Sequence, residues 1–178
     1  EIYSEVKPSS ILEASVALGN KNFKNVLALN SISKRSSAPG LRSGFIAGDG
    51  EILKKYAQYR TYVGCASPLP LQEAAALAWR DLMHTQYSRN QYAKNLQLAK
   101  EILGVEAPKD TFYVWLKVED DLRFTQELLE KENILVLPGS FLSRLDGEIN
   151  PGAGYVRLAL VYEEEIIRDS LLRIKKCL

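Results

Sequence analysis

Only two cysteines occur among the 178 residues, Cys65 and Cys177, far apart and with no C-x-x-C spacing. That excludes a disulfide framework and a thiolate zinc site, and both are expected to be ordinary buried thiols. The one histidine, His84, lies between two helical patterns with no partner motif and reads as structural or exposed. No apolar run approaches the ~18 residues a membrane span needs, and no basic segment followed by an apolar one suggests a secretory leader. A cytoplasmic protein without a membrane role is the expectation. Charge of one sign is lacking too: 23 lysines and arginines stand against 22 acidic residues, with no block of like charge. Net charge therefore gives no long-range pull toward nucleic acid, and any anion site must be local. The chain does not open on methionine, and Glu1-Ile2-Tyr3-Ser4-Glu5 reads like the end of a strand. It is expected to begin inside a domain.

What is present describes a globular α/β protein, with 46% apolar and 25% charged residues. Ser10 and Glu13 have capping-box spacing ahead of a helix over about 10–18, which Gly19-Asn20 would stop. Val26-Leu27-Ala28-Leu29 and Gly44-Phe45-Ile46-Ala47 are short apolar runs suited to a buried parallel or mixed sheet. Between them, Asn30 to Gly40 reads as a polar loop, and loops at strand ends are where α/β folds carry chemistry. Asp49 can cap a helix to about Tyr59, and Pro70 opens another. Residues 70–103 read as two helices broken near His84-Thr85, with Tyr92, Leu96, Ala99 and Leu103 on one face of the second. After Pro108 the pattern alternates as a strand does, with Phe112, Val114, Leu116 and Val118 on one side. A helix over about 121–132, strands at Ile134–Leu137 and Tyr155–Val161, and a last helix with Ile167, Leu171, Ile174 and Leu178 on one face complete a compact α/β layer. Three parts are expected: 1–68, 69–105 as connecting helices, and 106–178 as a small α/β domain.

The most informative segment is Ser31-Ile32-Ser33-Lys34-Arg35-Ser36-Ser37-Ala38-Pro39-Gly40-Leu41-Arg42-Ser43-Gly44. A lysine amine on a strand-end loop can form a Schiff base with an aldehyde if its pKa is lowered enough to leave free amine near neutral pH. Arg42 supplies a planar two-donor fork suited to a phosphate, and the Ser31 hydroxyl can add a bond. An aldehyde and a phosphate together describe pyridoxal 5'-phosphate. Taken singly, a lysine in a polar loop is ordinarily a solvated side chain; the full spacing is what raises Lys34 above that.

Serine, any residue, serine, lysine, a Pro-Gly turn and an arginine eight residues beyond the lysine resemble the lysine signature of class I and II aminotransferases, the aspartate aminotransferase superfamily. The resemblance implies an α/β fold, the C-terminal part of the pyridoxal-phosphate-dependent transferase fold type I: the end of the large-domain mixed sheet plus the small domain. It implies that Lys34 carries the cofactor and shuttles a proton between Cα and C4′. Ser31 and Arg42 would bind the phosphate, and Tyr3, in Glu-Ile-Tyr-Ser-Glu, would donate to the cofactor's phenolic oxygen. Arg157, in Gly154-Tyr155-Val156-Arg157-Leu158-Ala159, resembles the arginine that grips the substrate α-carboxylate. Leu137-Pro138-Gly139-Ser140-Phe141 resembles the family's Pro-Gly-x-x-Phe turn, with phenylalanine one residue early. Implied partners are amino acid and 2-oxo acid substrates, 2-oxoglutarate among them, and a second copy in a homodimer. Ser-Lys-Arg-Ser followed by Ala-Pro-Gly-Leu-Arg looks most like bacterial succinyldiaminopimelate aminotransferases, with aspartate-type enzymes the close competitor. The family's glycine-rich phosphate turn, ring-stacking aromatic, asparagine and pyridine-pairing aspartate are not among these residues, so the 178 residues alone are expected to be inactive. A small-molecule-binding or regulatory module without catalysis is the alternative from another class.

Overall fold

The computed structural model describes residues 8–106, 108 and 110–178. The chain divides into two compact units, one ending at Gln86 and one running from Tyr87 to Leu178. That division falls inside the segment expected to be connecting helices.

In the first unit, helix α1 (Ile11–Ala17) starts with the anticipated capping box: Ser10 Oγ accepts from Glu13 N, and Glu13 reaches back to Ser10 N. Strand β1 (Leu27–Ser31) pairs antiparallel with β2 (Gly44–Gly48), so the two apolar runs form a two-stranded hairpin ladder. The segment read as a loop is mostly structured. Asn30 and Ser31 extend β1, Ile32–Arg35 form the one-turn helix α2, and Pro39–Leu41 form a 3-10 turn. The reason is local: Ser31 Oγ caps the turn by accepting from Ser33 N, and Ile32 is fully buried. Helix α3 (Gly50–Arg60) is capped by Asp49, whose Oδ1 accepts from Glu51 N and Ile52 N while Oδ2 accepts from Asn25 N at 2.7 Å. The Asn25 bond, with the α3 amides, holds this carboxyl below the usual range.

Helix α4 (Leu69–Arg80) has Pro70 in its first turn. The break before α5 (Met83–Leu103) comes at Asp81-Leu82, not at His84-Thr85, because the Asp81 carboxylate caps Met83 N at 2.8 Å and draws His84 into the helix.

In the second unit, α5 residues Leu96, Leu98 and Ala99 join the core. Strand β3 (Tyr113–Lys117), α6 (Asp121–Glu132), β4 (Leu137–Pro138), β5 (Tyr155–Ala159) and α7 (Glu164–Lys176) follow in the expected order. The sheet order is β3-β5-β4, all antiparallel. Val114, Leu116, Val156 and Leu158 face Leu128 of α6 and Ile167, Leu171 and Ile174 of α7 in one continuous core. Three expectations are shortened. Ile134–Val136 form no ladder, β5 stops at Ala159, and Leu178 is exposed beyond the end of α7. The cysteines also depart from expectation: Cys65 is exposed, in a loop, and Cys177 is half-buried. No helix among the described residues is long and apolar enough to cross a membrane.

Candidate active site

The β1–β2 ladder runs from Leu27 opposite Gly48 to Ser31 opposite Gly44. Past that end the two chains stay tied, because Ile32 N donates to Ser43 O at 3.1 Å. The register therefore brings the Ser31–Lys34 turn and the Arg42–Ser43 segment to the same end of the hairpin. Lys34, on the third position of α2, is exposed and makes no hydrogen bond or ion pair with any described residue. Among the described residues its amine is therefore uncommitted. Arg42 is also exposed and sits in the left-handed region, φ 48 and ψ 40, as the residue that ends the 3-10 turn. Ser37 shares that conformation, with φ 49. Two non-glycine residues at such angles on either side of one turn cost about 1–2 kcal/mol each, the kind of strain that gathers where backbone is arranged for function. One Arg42 nitrogen, Nη1, donates to Pro39 O at 2.7 Å; among the described residues its other donors have no partner. Ser31 Oγ lies 3.0 Å from Ser33 Oγ. A depression beside the ladder is lined by Leu29, Ser31, Gly44, Phe45, Tyr56 and Arg60 among others, and it includes neither Lys34 nor Arg42.

Arg35, Trp79 and His84 frame this turn. Arg35 Nη1 donates to Ala78 O at 2.8 Å, and its guanidinium lies 5.3 Å over the Trp79 ring. Trp79 Nε1 donates to Ser43 Oγ at 3.0 Å, and its ring meets Phe45 edge-on at 5.3 Å. His84, expected to be structural or exposed, has Nδ1 2.8 Å from Asp81 Oδ2 and Nε2 2.8 Å from Ser36 Oγ. The Asp81–His84 spacing of three was a visible signal for that pair. The side of the lysine turn away from the ladder is therefore held by the end of α4 and the start of α5.

In the second unit, Arg157 lies on β5, the central strand and not an edge, opposite Trp115 on one side and Leu137 on the other. Val156 and Leu158 point into the core, so Arg157 points to the other face, where its guanidinium sits 4.4 Å over the Tyr113 ring. Trp115 and Tyr155 stack on that face at 5.7 Å. Asp121 is buried and braces the nearby turns: Oδ2 accepts from Ser140 N at 2.9 Å and Oδ1 from Gly154 N at 3.2 Å. Burial opposes its charge, but the groups of Ser140 and the Gly154 amide outweigh it and hold the carboxyl below the usual range. The Pro138-Gly139 turn is close-packed: a Cβ on Gly139 would be driven into the Gly152 and Tyr155 carbonyls.

The structure thus gathers Ser31, Lys34 and Arg42 at one end of the hairpin and places Arg157 in the second unit. Tyr3 lies outside the described residues. Among the described residues no group of three or more His, Cys, Asp or Glu side chains could hold a metal ion.

A family model described as aminotransferase class I and II matches residues 1–167. A crystal structure of an aminotransferase from Helicobacter pylori is 45% identical with a TM-score of 0.90, over 98% of this chain and 46% of that one. A Thermus thermophilus structure, described as a probable N-succinyldiaminopimelate aminotransferase, is 26% identical with a TM-score of 0.80, over 99% of this chain and 47% of that one. A transaminase of Bacillus subtilis is 31% identical over 96% of this chain and 43% of its own length. The chain spans less than half the length of the curated relatives it matches.

Proposed function

Since the chain belongs to the aminotransferase class I and II family, whose members depend on pyridoxal phosphate, we propose that it is the C-terminal part of a fold type I transaminase and that Lys34 is its cofactor lysine. One observation carries this reading: the hairpin register sets a lysine amine and arginine donors that have no partner among the described residues at the same strand end. A phosphate-bearing aldehyde needs that donor set, one amine and one anion-binding fork.

Bound there, pyridoxal phosphate supplies a sink for the electron pair left when an amino acid loses its Cα proton. The chain's own residues have complementary tasks. Arg42 and Ser31 would hold the phosphate, and Lys34 Nζ would take the Cα proton and return one as general acid. Tyr3, which lies outside the described residues, would donate to the phenolic oxygen. Arg157 holds the substrate α-carboxylate in a two-pronged grip, with the Tyr113 ring fixing the plane of its guanidinium. The substrates are an amino acid and 2-oxoglutarate, with N-succinyl-diaminopimelate or aspartate as the donor type. Support for the former is the Ser-Lys-Arg-Ser to Ala-Pro-Gly-Leu-Arg spacing and the name borne by the Thermus thermophilus structure. The remaining cofactor contacts come from residues outside this chain, and the working enzyme is a homodimer.

Borohydride reduction of the full-length protein with pyridoxal phosphate, followed by peptide mass analysis, tests the reading. A pyridoxyl group on the peptide bearing Lys34, absent in Lys34→Ala along with turnover, is the expected result. Labelling elsewhere, or none, would return the chain to the class of binding modules.

A further inference from the structure

Lys34 rides on a helix of four residues, far below the ~12–15 residues at which a helix sustains itself in water. Its pose must be imposed from outside. On one side the ladder and the buried Ile32 do this. On the other runs a chain of hydrogen bonds: Asp81 Oδ2 to His84 Nδ1 at 2.8 Å, His84 Nε2 to Ser36 Oγ at 2.8 Å, and Ser36 Oγ to Arg35 Nη1 at 3.4 Å.

Donor and acceptor types allow one continuous order along that chain. An ionised Asp81 can only accept, so His84 carries a proton on Nδ1. With the ring neutral, Nε2 presents its lone pair to the Ser36 hydroxyl, and the Ser36 oxygen accepts from the Arg35 guanidinium. Thr85 Oγ1, 3.4 Å from Nε2, is the one further polar contact to the ring among the described residues. All the dipoles point from a cation at one end to an anion at the other, the arrangement in which successive hydrogen bonds reinforce one another. Both ends are anchored to backbone: Asp81 Oδ1 accepts from Met83 N, and Arg35 Nη1 donates to Ala78 O. The carboxyl of Asp81 is held below the usual range, chiefly by its bond to His84 and next by the Met83 amide, which keeps it the acceptor. Ser36 is also the residue that ends α2, its N–H donating to Ile32 O at 3.0 Å.

Resting on the reading of Lys34 as the cofactor lysine, we propose that Asp81, His84 and Ser36 are positioning residues: a relay that locks the end of the lysine turn, with His84 as its link. None of the three needs to touch substrate. They restrict where the Lys34 amine can point, and so act on the proton-transfer step rather than on substrate binding.

The test has two readouts in the full-length protein. In the cofactor-free form, amide hydrogen exchange resolved over residues 31–37 rises about tenfold in Ser36→Ala and in His84→Phe, while α7 is unmoved. In the loaded form, kcat for transamination falls about tenfold in both variants, and KM for the amino donor changes less than about twofold. Ser36→Thr and His84→Gln, which retain a hydroxyl and an acceptor near the Nε2 position, recover most of both effects. The double variant loses no more than the worse single one, as partners in one chain should. Unchanged exchange in Ser36→Ala, or losses that add in the double variant, would overturn the relay. A wild-type protein that takes up no pyridoxal phosphate at Lys34 would instead sink the proposed function, and the exchange comparison would still decide the relay.

Discussion

The two units differ in how they are held. From Tyr87 onward, a single cluster of buried side chains joins α5, the three-stranded sheet, α6 and α7, and Leu128, Val156 and Leu171 have 1% exposure or less. In the unit ending at Gln86, Ile32 and Ala75 are the buried apolar residues among those described, while Leu29, Leu69, Leu77 and Met83 are each more than two-thirds exposed. Its two-stranded ladder is of a kind that is marginal without further strands or a covering layer. The lesson is that the proposed chemistry sits on the unit with less core of its own. Polar contacts and caps, rather than burial, define the lysine turn: Ser31, Arg35, Ser36, Trp79 and His84 do there what Leu128 and Leu171 do in the other unit.

Three substitutions sharpen that contrast. The largest stability effect belongs to Leu128→Ala, which removes a side chain with no exposure and should cost about 2–5 kcal/mol. Urea unfolding followed by Trp115 fluorescence reads it once the other tryptophan is removed by Trp79→Phe. Next comes Asp121→Asn, with an expected cost of about 1–3 kcal/mol near neutral pH, since an amide cannot accept from both Ser140 N and Gly154 N. The pH dependence has a definite sign. The folded carboxyl titrates below the ordinary carboxylate range, so its contribution is complete above that range and is lost as the pH falls through the lower folded value. Acid unfolding of the second unit should therefore be steeper in the wild type than in Asp121→Asn; parallel acid limbs would mean that the carboxylate braces nothing. The smallest effect is expected for Leu29→Ala, within about 0.5 kcal/mol, because this residue is 71% exposed on β1. A cost in this chain as large as that of Leu128→Ala would erase the distinction between the units.

Local signals were legible where a side chain acts on its own backbone. The Ser10–Glu13 box, the Asp49 cap and the alternation of β3 all formed as their spacing required. The β3 pattern worked because one face meets a core: Val114 and Leu116 are buried while Trp115 stays 41% exposed. The lysine segment was legible as a motif, but its shape was not. A stretch of serines, lysine and arginine has the composition of a loop, and only Ile32 finding burial and Ser31 finding the Ser33 amide turn it into a helix. Ile134 to Val136 failed for the opposite reason: the apolar run is right for a strand, but β5 offers ladder partners only to Leu137 and Pro138.

The amino-acid sequence alone determined what could be decided within a few residues: caps, turn positions, the faces of α7 and β3, and the family to which the lysine spacing points. Tertiary structure decided what depends on residues dozens of positions apart. It set Ser31 opposite Gly44, placed Arg157 on a central strand, turned Asp121 into a brace for two loops, and gave His84 a partner 48 residues away in Ser36. The physical reason is that a hydrogen bond or a ladder register between distant segments is fixed by how the whole chain packs, and no local pattern of residue types encodes which distant partner will arrive.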